Sequence, residues 1–169
     1  MTLVVRRAEA GEAALVASVL GEAEAWLEAR GEGLWQKDEL APSTLEPDVA
    51  AGHYYLGWVG DEAAGVLRLT LDDPLFWPEA APGAAAYVHR LAVRRVWSGG
   101  STSRALLAWA AEEARRHGCS YLRLDCVAAR PKLRAVYERF GFRHHSDRVV
   151  GPYHVARYEL ALGAPVRDQ

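Results

Sequence analysis

The spacing of apolar residues changes several times along this chain, and each change marks an element. Residues 3–7 read as a short first strand. Over residues 11–30, Leu15, Val16, Val19, Leu20, Ala23, Trp26 and Leu27 recur at helical spacing and form one stripe, while Glu12, Glu22, Glu24 and Glu28 occupy the remaining surface. Gly31 is placed to end that helix. Residues 31–52 have no clear period: Pro42 and Pro47 interrupt them, and residues 40–51 leave room for one short helix. Residues 53–59 and 64–71 then read as an antiparallel hairpin about the polar turn Gly60-Asp61-Glu62-Ala63. Residues 72–83 follow as a loop holding three prolines, Phe76 and Trp77, of a length that often carries function.

A strand-to-helix step now occurs twice. Residues 84–93 are rich in β-formers, and alternation puts Tyr87, His89, Leu91 and Val93 on one face with Val88 and Arg90 on the other. This run passes through the small residues 98–103 into a helix over 103–117, which buries Leu106, Leu107, Ala110 and Ala114 and pairs Glu112 with Arg116. Such a turn aims helix-start amides at an anion. Residues 121–127 read as a buried strand and 131–140 as a short helix, opened by Pro131 and closed by Gly141. Two strands joined by one helix are expected to be parallel neighbours with a right-handed crossover. Residues 142–150 and 154–162, around Gly151-Pro152, complete the pattern as an antiparallel hairpin, and the polar residues 164–169 are expected to fray.

Composition narrows the classes of function. A chain of 169 residues suits one domain with a real core. A net charge of −2 and a pI near 6.3 argue against nucleic-acid or polybasic membrane binding. No stretch approaches the roughly 18 apolar residues of a membrane span, and the first residues do not read as a secretory signal, so a cytoplasmic location is expected. Cys119 and Cys126 flank one strand and would lie about 20 Å apart at about 3.3 Å per residue. They are not expected to pair, because a disulfide needs Cα atoms within about 7 Å. Cys-x-x-Cys and His-Glu-x-x-His spacings are missing, and no metal is expected.

The segments Leu91-Ala-Val-Arg, Gly99 through Leu107, Leu122-Arg-Leu-Asp-Cys and Leu133-Arg-Ala-Val-Tyr-Glu-Arg-Phe-Gly-Phe resemble the GNAT superfamily of acetyl-CoA-dependent N-acetyltransferases. The resemblance runs from Tyr87 to Phe142. It implies an α/β (α+β) domain over residues 1–169, with a mixed six- or seven-stranded sheet, helices on both faces and splayed central parallel strands. It also implies direct transfer of acetyl from acetyl-CoA to a primary amine of a small molecule or peptide, in a ternary complex; a homodimer is a compatible assembly. The pantothenate arm would follow backbone at Leu91, Ala92 and Val93 as an added strand does. The diphosphate would lie over Gly99, Gly100, Ser101, Thr102, Ser103 and Arg104, with Arg130 either reaching a phosphate or solvated.

This turn departs from the family's Arg/Gln-x-x-Gly-x-Gly/Ala pattern, since Ser98-Gly-Gly-Ser-Thr-Ser has serine at its first, fourth and sixth positions. Glycine lets backbone approach phosphate and adopt positive φ, whereas another residue in that conformation costs about 1–2 kcal/mol. A serine hydroxyl can itself donate to phosphate or cap the helix. The alternative function is therefore a non-catalytic ligand-binding or regulatory domain, and a third is transfer of another acyl group.

Three residues are candidates for proton transfer. The resemblance gives Tyr137 the family's recurrent tyrosine, whose phenol, with pKa about 10, can protonate a leaving thiolate of pKa about 8.5. Packing against Val136 and Phe140 is its structural alternative. His89 aligns with a position where relatives carry a carboxylate that acts as base through water, work an imidazole of pKa about 6.5 can also do. A hydrogen-bonded strand histidine is the competing reading, and Asp125 is the competing carboxylate. His144 and His145 are expected on the surface, and Trp35 is either a wall of the acceptor pocket or a core residue.

Overall fold

Seven strands, β1 (Leu3–Arg7), β2 (Tyr54–Val59), β3 (Glu62–Thr70), β4 (Ala85–Val93), β5 (Tyr121–Val127), β6 (Arg143–Val150) and β7 (Tyr153–Ala161), form a sheet of order β1-β2-β3-β4-β5-β7-β6. The structure is a computed structural model describing residues 2–163, so the tail expected to fray lies outside the described residues. The helices are α1 (Ala13–Ala29), α2 (Pro42–Ala50), α3 (Thr102–Arg116) and α4 (Pro131–Phe140). β4 and β5 are parallel from Ala85↔Tyr121 to Val88↔Leu124, as expected for strands joined by one helix. β1–β2, β2–β3, β5–β7 and β6–β7 are antiparallel. The described residues group into two compact units: one holds residues up to Leu69 with Arg90–Trp109, the other Thr70–His89 with the residues from Ala110 onward.

In the first unit helices cover both faces of the sheet. Tyr54 and Leu56 of β2 enter a core built with Val16, Val19 and Leu20 of α1 and Leu45 and Val49 of α2. The alternate residues face α3: Tyr55 lies 4.5 Å from the Trp109 ring, and a Cβ at Gly57 would meet Leu106 at 3.0 Å. Gly65 of β3 is packed more tightly still, since a Cβ there would stand 2.7 Å from Leu106 and 3.0 Å from the Ala92 carbonyl oxygen. The missing side chain brings α3 close to the sheet.

Helical periodicity misplaces one residue of α1. Glu24, expected among the surface glutamates, is buried. Its carboxylate accepts the backbone N–H groups of Leu34, at 2.8 and 3.0 Å, and of Trp35, at 3.0 Å. It thus satisfies a connection that has no ladder of its own. Trp35 packs partly buried against the α1–α2 core. The short helix expected in this region is α2, with Pro42 at its first turn and Pro47 tolerated inside.

The second unit is held by β5, β7 and β6, by the end of α3 and by α4. α3 buries Ala110, Ala111 and Ala114 here, and its surface pairs are Glu112–Arg115 and Glu113–Arg116, one residue closer than the expected Glu112–Arg116. Residues 71–84 are tied to the β6–β7 hairpin. Arg148 Nε donates to the Leu75 carbonyl at 3.3 Å, Arg157 Nη1 to the Phe76 carbonyl at 3.0 Å, and the Phe76 and Tyr153 rings meet edge to face. Cys119 and Cys126 are buried free thiols, and burial raises both pKa values, that of Cys126 to about 11.

Candidate functional site

In the first unit the candidate elements are the end of β4, the turn after it and the start of α3. Arg94 anchors the strand end, its backbone N–H donating to the Ala64 carbonyl and its Nε to the Ala63 carbonyl, both at 2.8 Å. Glu22 of α1 accepts the Arg95 N–H at 3.0 Å, while the Arg95 guanidinium lies 3.7 Å from the Trp26 ring centroid. Ser98 is absorbed locally, since its hydroxyl donates to the Arg95 carbonyl at 2.8 Å.

The left-handed position in the turn falls on Gly99, with φ 74, and on none of its serines. Serine at Ser101 and Ser103 therefore carries no backbone strain of the kind the departure from the family pattern suggested. Gly100 needs glycine neither for φ nor for packing, because a Cβ there meets nothing within 4 Å. The first intrahelical bond of α3 runs from the Ala105 N–H to the Ser101 carbonyl at 2.8 Å, so the amides of Thr102, Ser103 and Arg104 precede the ladder. Helix-start amides outside the ladder suit an anion, and nothing within 4 Å of a Cβ at Gly100 crowds the turn.

Just before this strand end, Arg90 has φ 50 and is the only non-glycine residue at positive φ among the described residues. Left-handed backbone costs a non-glycine residue about 1–2 kcal/mol. It also interrupts the period-two alternation, so the single face expected for Tyr87, His89, Leu91 and Val93 does not continue past His89. The Arg90 Nη1 donates to the Tyr54 hydroxyl at 3.3 Å and to the Glu39 carbonyl at 3.4 Å. No sequence signal marked this residue.

In the second unit Asp125 stands at the end of β5, opposite Arg157 of β7. That arginine is committed elsewhere: Nε donates to the Ser146 hydroxyl at 2.8 Å, Nη1 to Glu79 at 2.5 Å and to Phe76, and the guanidinium lies 4.6 Å from the Trp77 ring centroid. No donor among the described residues hydrogen-bonds the Asp125 carboxyl. Burial, then the neighbouring Asp73 charge, pushes its pKa up to about 7 against the opposing pull of Arg157. A carboxyl poised near neutrality suits a general base.

His89 and Tyr137, both in the second unit, are more constrained. The Thr70 hydroxyl donates its one hydrogen to the Asp72 carbonyl at 2.8 Å, so the 3.0 Å contact with His89 Nε2 requires the ring nitrogen to donate. Nε2 is thus tied to structure. Tyr137 is buried on α4, edge to face with Phe142 at 6.0 Å, whereas Val136, its expected packing partner, is exposed. Burial, with the Cys126 and Asp125 charges adding to it, raises the Tyr137 pKa well above the ordinary phenol value. Its hydroxyl therefore keeps its proton and is a weaker acid than the sequence suggested. Arg130 precedes α4 without a side-chain cap bond, and His144 and His145 are exposed. Among the described residues, no three His, Cys, Asp or Glu side chains are grouped to hold a metal ion, and no helix is long and apolar enough to cross a membrane.

Residues 20–142 match the Acetyltransferase (GNAT) family. The chain belongs to that family. Its enzyme class is accordingly acyltransferase. It is 27% identical over 141 residues to "Uncharacterized N-acetyltransferase YesJ" of Bacillus subtilis (strain 168), covering 80% of this chain and 78% of that one. A GNAT-family acetyltransferase of Listeria monocytogenes has the same fold, with TM-score 0.75 and 22% identity over 94% of this chain and 95% of that one. So does the aminoglycoside acetyltransferase AAC(6')-Ib in complex with coenzyme A and kanamycin, with TM-score 0.76 and 14% identity over 95% of each chain. For a GNAT protein the sequence candidates group by unit. Leu91, Ala92, Val93 and residues 99–104 lie in the first, and His89, Asp125, Arg130 and Tyr137 in the second. Arg90, Asp73 and Arg157, which no motif or period distinguishes, stand out only in the structure, by backbone conformation and by their neighbours.

Proposed function

We propose that this GNAT protein transfers the acetyl group of acetyl-CoA to a primary amine. The observation that supports the reading is the turn before α3, where the Thr102 and Ser103 amides precede the helical ladder and a Cβ at Gly100 would meet nothing within 4 Å. When bound, acetyl-CoA supplies the acetyl group as a thioester. Backbone at Leu91, Ala92 and Val93 holds the pantothenate arm in the manner of an added strand, and residues 99–104 hold the diphosphate. Asp125 takes a proton from the acceptor ammonium, directly or through water; its pKa of about 7 suits that role, and His89 Nε2 is already bonded to Thr70. The Tyr137 hydroxyl, protonated throughout, donates to the departing sulfur.

Acetyl-CoA is expected to raise the melting temperature, because a ligand that binds only the folded state stabilises it by mass action. Mixing it with a panel of primary amines is expected to release the CoA thiol in step with acetylated product. Millimolar acetyl-CoA that gives neither a thermal shift nor calorimetric heat would overturn the reading.

A further inference from the structure

We propose that the Arg90 guanidinium receives a carboxylate of the acceptor, so that the amine acetylated belongs to an amino acid or another carboxylate-bearing molecule. The inference rests on the transferase reading above and names its acceptor class.

Two independent observations converge on this residue. One is its backbone: φ 50 is a conformation that glycine holds without strain, yet the position carries a long cationic side chain. The other is the side chain itself. Its Nη1 is fixed by two neutral oxygens, the Tyr54 hydroxyl and the Glu39 carbonyl, at the long end of hydrogen-bond range. No carboxylate of the described residues stands within ion-pair distance, whereas Arg68 is bonded to Asp48 at 3.1 Å and Arg94 lies 3.7 Å from Glu22. A half-buried guanidinium without a counter-charge is poorly compensated until an anion reaches it.

The surroundings favour an anion as well. The Tyr54 hydroxyl feels two guanidiniums, Arg90 and Arg68, against the single carboxylate Asp48, which already contacts Arg68 Nε and His53 Nδ1. Burial raises the Tyr54 pKa, and the two guanidiniums pull against it. With Nη1 occupied, the Nε–Nη2 edge remains, and that pair of donors matches the two oxygens of a carboxylate. Chain order supplies the link to the reaction: the next residues, Leu91, Ala92 and Val93, are those assigned to the acyl donor within the same unit.

The test compares acetyl transfer to a set of amino acids and to their carboxamides, which keep the amine and lose the charge. The expected kcat/KM favours the acids by about 10- to 100-fold, the range of a charge-assisted pair, and Arg90→Gln collapses that ratio towards one. Equal use of acids and amides by the wild type, or a ratio that survives Arg90→Gln, overturns the proposal. A second measurement needs neither turnover nor a folded Gln variant. The Arg90 Nε–H resonance of 15N-labelled wild type, assigned by its loss in Arg90→Lys, is followed during titration with N-acetylglycine and with N-acetylglycinamide. A shift with the first alone supports the site, and no shift, or the same shift with both, overturns it. If the resonance moves with N-acetylglycine but no amine releases CoA thiol from acetyl-CoA, the carboxylate site stands and the transferase reading fails.

Discussion

Protonation of Asp125 is decided by which neighbours its cross-strand partner has chosen. Arg157 lies opposite it in the β5–β7 register but spends its donors on Ser146, Glu79 and the Phe76 carbonyl, so burial and Asp73 outweigh it and the pKa rises to about 7. A base works only when deprotonated, so kcat/KM is expected to rise with pH through about 7 and then level off. Asp125→Asn should remove that limb and lower the rate by about 10²–10⁴-fold. An Asn variant that keeps the same limb would move the base role elsewhere. At Tyr137 the raised pKa makes full proton transfer to a thiolate unfavourable and leaves hydrogen-bond donation. Tyr137→Phe is expected to lower the single-turnover rate about tenfold or more at unchanged CoA affinity, and a fall of less than about threefold would assign the residue to packing. The sequence offers all three as candidates for proton transfer but cannot separate them, because Asp73, Arg157 and Thr70, which shape their surroundings, are brought alongside only by the fold.

The turn into α3 separates two kinds of glycine. Gly99 holds φ 74, so Gly99→Ala is expected to cost about 1–2 kcal/mol of stability. Gly100 has neither positive φ nor a neighbour that a Cβ would strike, so Gly100→Ala should leave the melting temperature unchanged while weakening CoA binding measured by calorimetry. Unchanged affinity in Gly100→Ala would place the phosphates elsewhere. At this scale the sequence was largely legible. Periodicity located α1, α3 and α4, β-former runs located the strands, and the strand-helix-strand rule gave the parallel β4–β5 pair. Failures share one cause, that period and propensity are local. Glu24 looked like a surface residue because nothing in its own helix shows that the N–H groups of Leu34 and Trp35 need an acceptor. Alternation along β4 looked unbroken because nothing in its own residues marks the left-handed backbone at Arg90, whose side chain reaches Tyr54 and Glu39 of other elements.

Across the whole molecule, carboxylates act on stability in opposite directions as pH changes. Asp147 is held below the ordinary carboxylate range by hydrogen bonds from His144 and His154, and Glu79 by a backbone hydrogen bond and, further, by Arg157. Their contribution is present above the unfolded pKa and is lost as pH falls through the folded one. Asp125 does the reverse. Its folded pKa of about 7 lies above the unfolded value near 3.9, so between those limits the native state holds the extra proton and stability falls as pH rises. Above about pH 7 the cost is complete, because a buried carboxylate is ionised beside Asp73. Asp125→Asn removes the ionisation and should stabilise the protein at about pH 8, with the gain shrinking as pH falls below about 7 towards the unfolded pKa, below which the wild-type carboxyl is protonated in both states. Urea unfolding of both proteins at about pH 5 and about pH 8 measures the difference. A stability difference independent of pH would mean that Asp125 titrates as an ordinary carboxylate, and it would remove both the predicted rate limb and the reason for preferring Asp125 to His89.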